Sequence, residues 1–183
     1  MSVESKYLGK LKHYQTFVDV SIDRYDDFDF GFIVDYNDEF LLLERFDSEG
    51  LYDGFSLLMR DRISRIRWGG NEITSVSKLI DPSQREDGDN PVEIAPLEDM
   101  LRMFNERFGS VTIHVQDVKD DICFIGEIHE LDNETLVLYE FGTKVSLDRR
   151  YIMLSLDDIT RVDANSQYIK TLERIFVKKK KDS

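Results

Sequence analysis

The side chains best placed to do chemistry are clustered in DRYDDFDF, residues 23–30. There Asp23, Asp26, Asp27 and Asp29 are interleaved with Tyr25, Phe28 and Phe30. Carboxylates around aromatic anchors suit recognition of another protein, with rings supplying contact area and acids selecting the partner's charge. Oxygen-rich loops also bind calcium, but this spacing matches no known calcium loop, so no metal is assigned. Tyr52-Asp53-Gly54-Phe55 has the same acidic-aromatic character. These residues, Asp23, Tyr25, Asp26, Asp27, Phe28, Asp29, Tyr52 and Asp53, are the candidate partner-binding set. No catalytic constellation competes with them. The chain has no phosphate-cradling glycine loop followed by Lys-Ser/Thr, no Gly-x-Ser-x-Gly elbow and no His-Glu-x-x-His pair. His114 and His129 fall on consecutive expected strands, and at a constant offset their counterparts are Asp19 and Val34. Cys123, between Ile122 and Phe124, reads as a small buried residue. No enzyme activity and no cofactor are expected.

The elements that must position these residues occur twice. Residues 30–46, FGFIVDYNDEFLLLERF, align with 125–141, IGEIHELDNETLVLYEF, at an offset of 95. Gly31/Gly126, Ile33/Ile128, Glu39/Glu134, Leu41/Leu136, Leu43/Leu138 and Phe46/Phe141 are identical. One inserted residue later, LMRDRISRI at 58–66 matches LSLDDITRV at 154–162. An offset held across this distance points to a tandem repeat. All three prolines lie in DPSQREDGDNPVEIAP, residues 81–96, an acidic stretch with the composition of a linker. The resulting division is a first module at 1–80, a linker at 81–96, a second module at 97–177 and a basic tail at 178–183.

Each module is mainly strand. FVDVSI (17–22) and VTIHVQDV (111–118) alternate, and each aligned segment carries a glycine early in a strand. Glycine weakens a strand unless the sheet bends or another backbone comes close, so a sharply curved strand is expected in both copies. Asn37-Asp38 and Asp132-Asn133 supply turn chemistry. Leu97, Met100, Leu101, Phe104 and Phe108 keep helical spacing between Pro96 and Gly109. SKYLGKLKHY is a weaker equivalent, and short helices are expected to end both modules. The expectation per module is a helix, about five short strands and a helix, closed into a barrel that leaves no strand edge exposed.

An early glycine in a curved strand, an Asp/Asn turn and Leu-x-Leu together resemble the Sm-like fold of RNA-associated proteins. Gly31, Ile33, Asn37, Asp38, Leu41 and Leu43 fit its first motif, as do Gly126, Ile128, Asp132, Asn133, Leu136 and Leu138. Its second motif, Ile-Arg-Gly-x-x-Ile, is approximated by IRWGGNEI at 66–73 and is degenerate in the second copy, VDANSQYI. The resemblance implies a mainly β chain of two small Sm-like or SH3-like bent antiparallel barrels in tandem, each with a flanking helix. It also implies RNA contacts at Asn37, Arg67, Gly70 and Asn71, with bases stacking on the arginine and hydrogen-bonding to the asparagines.

Charge argues against RNA as the main partner. The chain of 183 residues has 24 Lys+Arg against 37 Asp+Glu, a formal charge of −13, and both modules are acidic. Phosphate binding needs a positive surface, and only the terminal KKKKDS offers one. An acidic surface instead steers a basic partner. The expected function is therefore a non-enzymatic acidic binding module acting on another protein. One form is an inhibitor or immunity-type protein for a basic partner; the alternative is an Sm-like RNA-associated protein, with oligomers possible through the barrel edges. The opening MSVESKYLGKLKHY has no apolar signal stretch, which gives a cytoplasmic, non-membrane expectation.

Overall fold

A computed structural model describes residues 2–22, 28–86, 91–115, 122–142 and 148–181, with side chains as far as Phe176. The described residues are mainly antiparallel β with four α-helices, and the chain divides into two compact units, Met1–Ile94 and Ala95–Ser183. No helix among the described residues is long and apolar enough to cross a membrane.

The first unit runs α1 (Val3–His13), β1 (Phe17–Ile22), β2 (Phe28–Tyr36), β3 (Phe40–Phe46), β4 (Tyr52–Met59), β5 (Ile63–Trp68) and α2 (Gly70–Ser77). Ser2 starts α1 because its hydroxyl accepts the Ser5 N–H, one of the donors that a helix start leaves unpaired. Leu8 and Leu11 of that helix pack on Val18, Val20, Ile33, Leu41, Leu43 and Leu58, the inner face of the sheet. The strand order is β5-β1-β2-β3-β4, and among the described residues the end strands β4 and β5 are not paired with each other. The sheet is therefore not closed within the unit, unlike the barrel expected from its short bent strands.

The second unit repeats the plan: α3 (Leu97–Phe108), β6 (Val111–His114), β7 (Cys123–Leu131), β8 (Thr135–Phe141), β9 (Arg149–Ser155), β10 (Arg161–Ala164) and α4 (Gln167–Lys181). Its order is β10-β6-β7-β8-β9, again without pairing between the ends β9 and β10 among the described residues. Met100, Leu101 and Phe104 of α3 are buried, and Gly109 ends that helix at φ 84. Ile169, Leu172 and Phe176 of α4 pack on Ile125 and Phe141. The four lysines expected in a tail continue α4 as far as Lys181.

The repeat is geometric as well as sequential. Gly31 pairs with Arg45, and Gly126 with Glu140. A Cβ on Gly31 would strike the Glu44 carbonyl oxygen, and one on Gly126 the Tyr139 carbonyl oxygen, both well inside 3.0 Å. Close approach of the neighbouring backbone is thus the reason for glycine in both copies. Each ladder then shifts register at one place, between Ile33 and Asp35 and between Ile128 and Glu130. Asn37 Oδ1 accepts the N–H groups of Glu39 and Phe40, as Asp132 Oδ1 accepts those of Glu134 and Thr135. Those two N–H groups hold the Asp132 carboxyl below the usual carboxylate range.

One strand aligns differently from its sequence match. Val18 and Val111 face the equivalent glycines, so the counterpart of His114 is Ser21 rather than Asp19. The loop between the first two strands has a different length in each copy, and this breaks the constant offset.

Candidate functional site

Four of the acidic-aromatic candidates, Asp23, Tyr25, Asp26 and Asp27, lie outside the described residues. The other acids are engaged within the chain. Arg45 is buried on β3 and reaches Asp29 at 3.2 Å and Asp53 at 2.7 Å, so these two carboxylates act as its counter-ions. Tyr52 is buried against Phe46 and Phe55. Phe28 is exposed on β2, with the Arg67 guanidinium 5.7 Å from its ring centre.

Arg67, Gly70 and Asn71 are brought together. With Trp68, Gly69 and Glu72 they line a shallow concavity of about 510 Å³ at the start of α2. Trp68 is exposed and lies 5.7 Å from the Tyr7 ring. Asn37 is elsewhere, at the β2–β3 turn, where its carbonyl accepts from Arg60. Arg67 is also committed: its Nε and Nη2 lie 2.7 and 2.5 Å from Oδ2 of the fully buried Asp19, which pushes its pKa up.

The histidines part company. His114 Nε2 is 2.9 Å from Asp163, whose other oxygen accepts from Arg161 at 2.7 Å. Cys123 sits directly across from His114 in the ladder and is exposed, not buried as its apolar neighbours suggested. Desolvation of its sulfur, with Asp163 nearby, pushes the thiol pKa up, the wrong direction for an activated nucleophile. His129 instead packs against Tyr151, with ring centres 4.8 Å apart and the planes tilted by 59°. Among the described residues no group of three or more His, Cys, Asp or Glu could hold a metal ion.

The strongest asymmetry between the units lies on the outer faces of their sheets. In the first unit, Phe17, Phe30, Phe32, Phe46, Tyr52 and Phe55 form a chain of ring contacts between 5.1 and 6.4 Å on that face. Residues 84–86, within the 81–96 segment expected as a linker, lie on it. The Arg85 guanidinium lies 4.0 Å over Phe32 and bonds Glu44, which also accepts the Glu86 N–H. Gln84 accepts the Tyr52 N–H, and the Ile94 N–H donates to Asp35. Burial alone would raise the pKa of Asp35, but that N–H and the Lys12 ammonium hold its carboxyl below the ordinary value. Val92 is buried, and Phe55 and Leu57 are 0% and 1% exposed.

The ladder places Tyr139, Tyr151 and Met153 where the first unit has Glu44, Phe55 and Leu57. Tyr151 is 60% and Met153 72% exposed. Tyr139 stacks on Tyr151 at 4.7 Å, and Arg149 lies 3.8 Å over the Tyr139 ring while pairing with Glu127 at 3.2 Å. Tyr151 and Met153 thus form an apolar stripe open to solvent, flanked by His129 and by Tyr139 under Arg149, and among the described residues β9 has a ladder partner only in β8. Sequence reasoning missed this stripe. The available signal was the alternation in RRYIMLS, where Tyr151 and Met153 share one face. Compared with known proteins, the chain matches no family model, and no curated protein or solved structure matches it either.

Proposed function

We propose that this chain is a non-enzymatic module that binds another protein through the outer face of its second unit. The observation that carries this reading is the exposure of Tyr151 and Met153, whose counterparts Phe55 and Leu57 are buried. Exposed large apolar groups on a strand with one free side mark interaction surfaces, and a fold that covers the face once has the means to cover it again. The acidic balance of the chain, −13, favours a basic partner through faster encounter and rejection of acidic competitors. An inhibitor or immunity-type role toward such a partner fits this charge. The equivalent glycines, shifts of register and Asx turns also support a tandem Sm-like architecture in which each bent sheet is a degenerate barrel. The test is affinity capture from native cells after nuclease treatment, using the wild-type chain and Met153→Glu. A partner held by the wild type and lost from the variant supports the reading; identical captured sets refute it.

A second reading, binding of single-stranded RNA, rests on the concavity formed by Arg67, Trp68, Gly70 and Asn71 beside Tyr7. An exposed tryptophan next to a cation offers a stacking surface for a base. Salt-sensitive retention of an oligonucleotide, lost on Trp68→Ala, would support it; no retention in dilute buffer would remove it.

A further inference from the structure

The outer face of the second unit has a chemical polarity that defines its occupant. At the Arg149 end of β9 the charges are matched, Arg149 by Glu127 and Arg150 by Glu140 at 2.6 Å. At the Ser155 end they are not. The β7–β8 turn carries Asp132 and Glu134, and the turn after β9 carries Asp157 and Asp158. The Leu156 N–H donates to the Glu134 carbonyl at 2.9 Å, which ties the two turns together. All four carboxylates are exposed, and among the described residues none has a cationic partner. The first unit balances the same corner: Arg60 and Arg62 stand at the positions of Leu156 and Asp158, and Arg60 pairs with Glu4 at 2.6 Å.

The chain also shows what can cover such a face. On the first unit the cover is an irregular segment whose arginine lies over an aromatic ring and bonds an acid. We propose that the second unit takes a basic, strand-forming segment of a partner protein. The segment pairs its backbone with β9, lays apolar side chains on Tyr151 and Met153, and sets its lysines or arginines beside Asp132, Glu134, Asp157 and Asp158. Main-chain hydrogen bonds along the free side of β9 supply affinity, the apolar stripe fixes which face of the segment points inward, and the carboxylates fix its charge and register. This inference rests on the protein-binding reading and adds the partner's chemistry to it.

The test is fluorescence anisotropy on the full chain. The probes are labelled peptides of roughly ten residues, alternating valine and threonine, with three lysines at one end or the other. Controls carry three glutamates instead, or alternate N-methylated amides. At low salt a lysine peptide binds at least about tenfold more tightly than its glutamate twin, and the preference shrinks as salt is raised. N-methylation removes binding, Met153→Glu removes it for every peptide, and Asp157→Lys with Asp158→Lys removes only the lysine preference. Equal binding of both charge types, binding that survives N-methylation, or no binding of either lysine peptide up to about 1 mM overturns the inference. So does light scattering that shows the chain self-associated, with Met153→Glu restoring the single-chain mass, since a second copy then occupies the face. The two layers fail separately. If the captured native partner is lost with Met153→Glu but kept with the Asp157 and Asp158 reversals, the protein-binding reading stands and the basic strand falls.

Discussion

Truncating the same sheet position in each unit should have opposite consequences. Leu57 and Met153 occupy equivalent places in the ladder, opposite Leu42 and Val137. Leu57 is 1% exposed, so Leu57→Ala removes buried methyl groups and leaves a cavity, at a cost of about 3 kcal/mol. Met153 is 72% exposed, and Met153→Ala should change stability by no more than about 0.5 kcal/mol. With a urea slope of about 2 kcal/mol per molar, the first substitution lowers the unfolding midpoint by roughly 1.5 M and the second by less than about 0.3 M. Trp68 is the only tryptophan and lies in the first unit, so its fluorescence reports the unit that Leu57 supports. Far-ultraviolet dichroism, which sees strands of both units, reports the effect of Met153→Ala. If Met153→Ala costs as much as Leu57→Ala, the face is covered in solution, and the argument from its exposure fails.

Three further outcomes follow from the geometry. Gly31→Ala and Gly126→Ala each drive a Cβ into a neighbouring carbonyl, and both should destabilise by about 3 kcal/mol or more in urea melts; a neutral result would show that the neighbouring backbone gives way freely. Arg67→Ala strands the fully buried Asp19, one of whose oxygens lacks a hydrogen-bond partner among the described residues, and should lower the urea midpoint, with stability recovered when Asp19→Val is added. The folded pKa of Asp35 is depressed, so its contribution is present above the ordinary carboxylate pKa and is lost as pH falls through the folded value. Asp35→Asn should therefore cost about 1.5 kcal/mol at neutral pH and progressively less toward pH 3, measured as the urea midpoint of wild type against variant.

Local rules made much of the fold legible. Gly31 and Gly126, the Asn37 and Asp132 turns and the 97–109 periodicity each express one short-range constraint, and each landed where the residues placed it. Closure did not, because which end strands meet depends on pairing between residues far apart, and composition carries no record of it. Residues 81–96 look like a linker because prolines and acids disfavour regular structure. Nothing in those residue types reveals that Arg85 finds Phe32 and Glu44. The acidic-aromatic candidates were read by type, and type does not tell a free carboxylate from a counter-ion; Asp29 and Asp53 are held by Arg45, sixteen and eight residues away in sequence. The exposed stripe stayed hidden for a related reason. The alternation in RRYIMLS puts Tyr151 and Met153 on one face, but only their exposure in the fold shows that this face is not core.

The most direct measurement of the central claim is hydrogen–deuterium exchange of the chain alone and with its captured native partner. The account predicts that the amides of 149–155 exchange readily in the free chain, on the side of β9 away from β8, and slow on binding. Protection confined to 63–71, with β9 unchanged, would move the binding surface to the first unit and contradict the account.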